Sequence, residues 1–288
     1  MKIVTITDND HTRRGGIGAV LRMLANAGFD GADITMTNME EKWRFDTPAF
    51  LGEVRAAQAD CGIEIRQAHA PFPGKKYGDE DYNRRYDAAV RLSIEIAGEL
   101  GAHTIIVHPI YCPTLSAKEQ MEWNIDYYQS LASTAKQAGV RIALENMYCC
   151  PMPDRFAPNV CSLPAEFSAY YDRLDQSVFT CCLDIGHFAM LGCPPEKAIL
   201  EMGHDRVGTL HIHDNDRIHD FHNPPFTGDI RWENVVSALA QIDYAGDVSF
   251  EVHMLKYPTE LLPAAYTSLC QVGRYLAGRI EAYKNKNE

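Results

Sequence analysis

One unit recurs along this chain: a helical stretch runs up to a glycine, and a short apolar strand follows within a few residues. The glycines are Gly28, Gly62, Gly101 and Gly139, spaced by 34, 39 and 38 residues. Glycine just past a helix is a favoured left-handed cap, and the apolar run after it suits a buried strand. An eighth of the 288 residues is 36, enough for one strand, one helix and two loops, so the spacing predicts eight units. Predicted strands cover 2–7, 31–36, 63–69, 104–108, 140–145, 178–184, 207–213 and 247–253. Helical patterns fill 16–28, 47–61, 80–100, 117–138, 163–175, 194–202, 231–242 and 260–283. Parallel strands alternating with crossover helices favour an α/β fold closed on itself, a single (β/α)8 TIM barrel over residues 1–288. An open dinucleotide-binding sheet is disfavoured, because no glycine-rich phosphate fingerprint follows the first strand.

Composition narrows the partners. No apolar run approaches the roughly 18 residues of a membrane helix, and the start lacks the charged-then-apolar leader of secreted chains. A soluble, cytoplasmic protein is expected. The nine cysteines include the neighbours Cys149-Cys150 and Cys181-Cys182 and no CxxC spacing, which fits reduced thiols rather than a disulfide or structural zinc framework. A net charge of -12 disfavours a broad surface for nucleic acid or anionic lipid.

Within 207–213 alternate side chains share a face, so Val207, Thr209, His211 and His213 are expected on one side and Leu210 and Ile212 on the other. Asp214, Asp216, Arg217, His219, Asp220 and His222 crowd in behind. Six predicted strands end in such chemistry. Strand three closes at His69, strand four at His108, strand five at Glu145, strand six at Asp184 with His187 just beyond, strand seven at His211 and His213, and strand eight at Glu251 and His253. In a barrel the C-terminal strand ends converge on one mouth, so residues far apart in sequence become neighbours. Small residues, Ala143, Cys182 and Ser249, are expected beneath the three carboxylates.

Glu145, Asp184, His211 and Glu251 offer three carboxylates and an imidazole, a donor set suited to a divalent metal such as Mn2+, Co2+, Mg2+ or Zn2+ with positions left open for substrate. Such an ion polarises a carbonyl and its neighbouring hydroxyl. Glu145 and Glu251, from strands five and eight, then form a pair able to take and return a proton next to that carbonyl. His187 and Arg217 are placed beside the metal as substrate contacts, the latter with a planar donor fork; pairing of Arg217 with Asp214 or Asp216 is the plainer alternative. Phe72 is a candidate wall of a sugar pocket. His69, His108, His187, Asp220 and His222 could hold further metal ions.

At these motifs the chain resembles the xylose isomerase-like TIM-barrel superfamily of sugar phosphate isomerases and epimerases, to which the endonuclease IV class also belongs. The matching pieces are HAPF at 69–72, VHP at 107–109, ALEN at 143–146, LDIGH at 183–187, LHIHDND at 210–216, HDFH at 219–222, TGDIRW at 227–232 and FEVH at 250–253. The resemblance to the ketose 3-epimerases implies one metal on Glu145, Asp184, His211 and Glu251, with the two glutamates transferring the proton and His187 and Arg217 holding substrate oxygens. It implies a small-molecule sugar or sugar phosphate as partner, and homo-oligomers are common in the family. The resemblance to endonuclease IV instead implies a trinuclear zinc cluster on His69, His108, Glu145, Asp184, His187, His211, Asp220, His222 and Glu251 that hydrolyses a phosphodiester in abasic DNA. The acidic chain and the spacing of Arg217 from His211 favour the sugar isomerase or epimerase. A metal-dependent dehydratase of keto-polyols is a third reading, since proton abstraction next to a carbonyl can end in loss of water.

Overall fold

Ten strands, nine α-helices and one 3-10 helix (Thr259–Leu261) account for the regular structure of the described residues, which in this computed structural model are 1–7, 14–36, 47–72, 74–152 and 155–287. The strands are β1 (Ile3–Ile6), β2 (Gly31–Thr35), β3 (Glu64–His69), β4 (Thr104–Ile106), β5 (Arg141–Glu145), β6 (Tyr148–Met152), β7 (Arg155–Pro158), β8 (Phe179–Asp184), β9 (Val207–His211) and β10 (Val248–Phe250). The helices are α1 (Ile17–Asn26), α2 (Thr47–Cys61), α3 (Glu80–Glu99), α4 (Ala117–Ala138), α5 (Pro164–Tyr171), α6 (Ile185–Met190), α7 (Pro195–Met202), α8 (Trp232–Gln241) and α9 (Leu262–Asn287). Eight strands pair in parallel in the order β10-β1-β2-β3-β4-β5-β8-β9. A parallel bridge between Ile212 and Phe250 joins the two ends into a ring. The expected α/β TIM barrel is the fold.

Each expected strand and helical pattern is present within a few residues of its predicted bounds. The four predicted cap glycines all have positive φ, from 70° to 99°, and at Gly139 the left-handed residue receives α4 and directs the chain into β5. The other end of α4 is held by a capping box in which Ser116 and Glu119 each bond the other's backbone N–H. Leu144, Leu183 and Phe250 point outward into the helix-packed core, while Ile106, Ala143 and Cys182 form a separate small apolar layer inside the barrel. The small residues expected at 143 and 182 are thus the shelf on which the mouth is built.

Two register shifts decide what faces inward. One lies between Ala32 and Asp33 where β2 meets β3, the other between Cys181 and Cys182 where β8 meets β9. They leave Arg66 and Gly208 as extra residues, so the alternation of faces slips by one at each. Val207, expected beside His211, consequently packs with Leu210 and Ile212 in the outer core. Arg66 lies at the opposite end from the mouth, where its guanidinium bonds both Asp247 oxygens at 2.7 and 3.2 Å and Glu64 at 3.1 Å, and Lys2 pairs with Glu64.

Two elements were not expected from the sequence. The β6–β7 hairpin is antiparallel and separate from the barrel. Helix α6 starts at once after β8, with Asp184 capping it by accepting from His187 N–H at 2.7 Å.

Candidate active site

The mouth of the barrel opens into a cavity of about 420 Å3 whose lining includes His69, Phe72, His108, Glu145, His187, Asp220, His222, Glu251 and His253. Each arrives from a strand end or the loop after it. Beneath the lining, Asp184 and His211 are wholly buried. Here the four residues of the expected metal set converge. His211 Nδ1 lies 2.8 Å from Glu145 Oε1, 3.2 Å from Glu251 Oε2 and 4.0 Å from Asp184 Oδ2, and one donor atom from each of the four falls within 4.8 Å of the others.

Two more groups meet that criterion around the same mouth. His69, His108 and Glu145 form one, with His108 Nε2 at 3.0 Å from Glu145 Oε2. His187, Asp220 and His222, joined by His213, form the other. In it His222 Nε2 bonds Asp220 Oδ2 at 3.0 Å, His187 Nε2 lies 3.8 Å from the same oxygen, and Tyr148 of the hairpin donates its hydroxyl to it at 2.9 Å. A fourth set, Asp33, His69 and His211, lies within the barrel.

The donor chemistry fits a divalent cation. Three carboxylates, two of them fully buried, share one small volume, an arrangement costly without compensating positive charge. His69 Nε2 and Asp220 Oδ1 are buried and lack hydrogen-bond partners, so lone pairs are aimed into the cluster rather than spent within it. Charge follows the same pattern. Burial alone would raise the Glu145 carboxyl, but His211 and His108 hold it well below the ordinary carboxylate range. Burial works against a charge on His211, yet Cys182, Glu145 and Glu251 push it well above the usual imidazole value. Cys182 is itself pushed up to about 12 by burial, so at neutral pH its thiol is uncharged and the two glutamates carry the effect. Asp220 is depressed, against its burial, by the nearby His187 imidazole and by the hydrogen bond and charge of His222.

The surrounding residues aim these groups. Asn146 accepts from Asp184 N–H at 2.8 Å and donates to Asp184 carbonyl at 3.0 Å, tying β5 to β8, while its own carbonyl fixes His187 Nδ1 at 2.8 Å. His213 Nε2 bonds Asp184 at 3.0 and 3.1 Å. The His222 ring is held by the Glu251 carbonyl at 2.7 Å and stacks between His213 and His253. Asp214 is spent on the loop before α8: its carboxylate accepts from the backbone of Phe226 and Ile230 and from the Trp232 indole at 2.9 to 3.2 Å.

Every candidate metal residue therefore stands at the mouth, and Phe72 lines it with its ring 4.8 Å from that of His108. Arg217 is placed differently. It has a φ of 63°, its backbone N–H bonds Asn215, and its side chain is exposed and outside the cavity lining. Its plainer alternative is also not realised among the described residues, because Asp214 serves the loop and Asp216 pairs with His219. Tyr148 and Asp33 were not singled out from the sequence. For Asp33 a signal existed, a lone acid between the apolar Ala32 and Ile34 in a short buried strand.

A family model described as xylose isomerase-like TIM barrel matches residues 21–268. An uncharacterized protein of Methanocaldococcus jannaschii is 27% identical over 190 residues, 64% of this chain and 62% of that protein, so the chain spans less than two thirds of its length. The L-ribulose 3-epimerase of a Methylomonas species is 26% identical over 261 residues, 85% of this chain and 80% of the enzyme. Among solved structures, a D-tagatose 3-epimerase-like protein superposes with a TM-score of 0.78 at 20% identity, covering 100% of both chains, a likeness of fold.

Proposed function

Since the chain belongs to the xylose isomerase-like TIM-barrel family, we propose that it is a divalent-metal-dependent isomerase or epimerase of a sugar or sugar phosphate. The observation that carries this reading is the approach of Glu145 and Glu251, from β5 and from just beyond β10, to the same His211 Nδ1 at 2.8 and 3.2 Å, with Asp184 completing the set. The sugar epimerases among the similar proteins support it. An ion held by these four groups would polarise the carbonyl and adjoining hydroxyl of a bound sugar. Glu251, partly accessible from the cavity, and Glu145, buried against His211 and His108, are set to take a proton from the carbon beside that carbonyl and return one to the enediolate. Phe72 supplies an apolar wall and His187 a substrate contact; Arg217 joins them only if its loop turns inward.

A second reading, hydrolysis of a phosphodiester as at abasic DNA, is favoured by one observation: the His69–His108 and His187–Asp220–His222 groups flank the central set, and Glu145 belongs to two of the three. Two assays separate the readings. The first follows exchange of solvent deuterium into a panel of ketoses and their phosphates; the second, cleavage of abasic DNA. Under the isomerase reading, exchange requires added metal, and Glu145→Gln and Glu251→Gln each lower kcat by roughly 10²–10⁴-fold. Cleavage of abasic DNA without exchange would replace the first reading by the second.

A further inference from the structure

We infer that Asp33 is a positioning residue of the metal centre, acting directly on the His69 imidazole from inside the barrel. Its carboxylate is almost wholly buried. One oxygen bonds His69 Nδ1 at 2.8 Å, and the other accepts from Gln67 Nε2 at 2.6 Å. That amide nitrogen lies 3.1 Å from His211 Nε2, and the Gln67 carbonyl is held by the Thr209 hydroxyl. The His69 and His211 rings stack at 4.7 Å with planes 15° apart, so one carboxylate and one amide brace them side by side.

The consequence for His69 follows from the chemistry of imidazole. A ring that donates Nδ1–H to a carboxylate keeps its lone pair on Nε2 and is more basic there. His69 Nε2 is the buried atom without a partner, 3.7 Å from Glu251 Oε1. Asp33 thus fixes both the tautomer and the aim of that ring. The register shift between β2 and β3 places Gln67 opposite Asp33 and so completes the brace. By contrast, His187 and His222 are oriented by the backbone carbonyls of Asn146 and Glu251, with no link to Asp33.

The inference rests on the metal-dependent reading and is tested on metal-free full-length protein titrated with Zn2+ by calorimetry, with bound ions counted by native mass spectrometry. Asp33→Ala is expected to weaken the binding step that uses His69 by 10–100-fold, the usual cost of losing such a partner, and Asp33→Asn, which keeps an acceptor, by less. Steps that persist in a His69→Gln protein are expected to be unchanged by either Asp33 substitution. Nitrogen-15 spectra of the metal-free protein supply a second readout, with His69 carrying its proton on Nδ1 in the parent and losing that preference in Asp33→Ala. Parent protein that binds no Zn2+ would overturn the metal reading itself. Parent-like Zn2+ affinity in Asp33→Ala, uniform weakening of all steps, or a His69 tautomer indifferent to residue 33 would overturn the role of Asp33 alone.

Discussion

A methyl group at position 186 would overlap the His213 imidazole, because the backbone there lies flat against the ring. That contact seats His213 on Asp184, which in turn caps α6. Gly186→Ala must displace the ring or the strand end, and overpacking of this kind costs roughly 1–3 kcal/mol. The midpoint of urea unfolding is expected to fall accordingly, and an unchanged midpoint would show that the ring gives way freely. Individual residues also mark the limit of reading by sequence. The ligand candidates were legible because histidine and carboxylate at a strand end have few other uses in combination. Asp33 lies in the middle of its strand, and nothing in the pattern says that the register shift turns Gln67 toward it. Arg217 was chosen for its spacing from His211, a criterion that carries no information on the positive φ at 217 or on the exposed side chain outside the cavity lining.

At the scale of elements, strand and helix order was legible because each unit repeats the same physical problem. A helix must stop, which the glycine achieves, and a strand covered on both faces must be apolar outward and small or polar inward. The parity of β9 was misjudged at its first residue, since one extra residue, Gly208, moves Val207 to the outer face. Hairpin β6–β7 escaped because its segment carries Pro151 and Pro158 and neighbouring cysteines, without apolar alternation; proline is tolerated there because a two-stranded hairpin has free edges. The hairpin nonetheless matters to the mouth, since it brings Tyr148 onto Asp220.

For the whole molecule, the cluster at the mouth couples stability to pH. His222 is pushed up to about 9, burial opposing its charge while Glu251 and Asp220 outweigh it, and His187 is raised as well by Asp184 and Asp220 against its burial. A histidine raised in the folded state contributes stability that is complete below its unfolded value of about 6.5 and is lost as pH climbs through the folded value. Metal-free protein is therefore expected to melt at a lower temperature at about pH 9.5 than at about pH 7, a comparison calorimetry in chelator makes directly. Ion uptake runs the other way: the imidazoles must shed protons to become ligands, so affinity rises with pH and binding acidifies an unbuffered sample.

The ring of strands is thinnest where β9 meets β10. Beyond the strands proper, the junction is a pair of backbone bonds, Ile212 N–H to Ser249 carbonyl at 2.9 Å and Glu251 N–H to Ile212 carbonyl at 3.2 Å. His211 and Glu251 stand on its two sides and reach for the same point. A cation gripped by both would act as a clasp on the cylinder, so that under the proposed function one ion would serve both the chemistry and the closure of the ring. Amide hydrogen exchange at Ile212 and Glu251 is expected to slow on adding metal, by more than at the far-side β4–β5 junction, and equal slowing at both would mean that the clasp is not there.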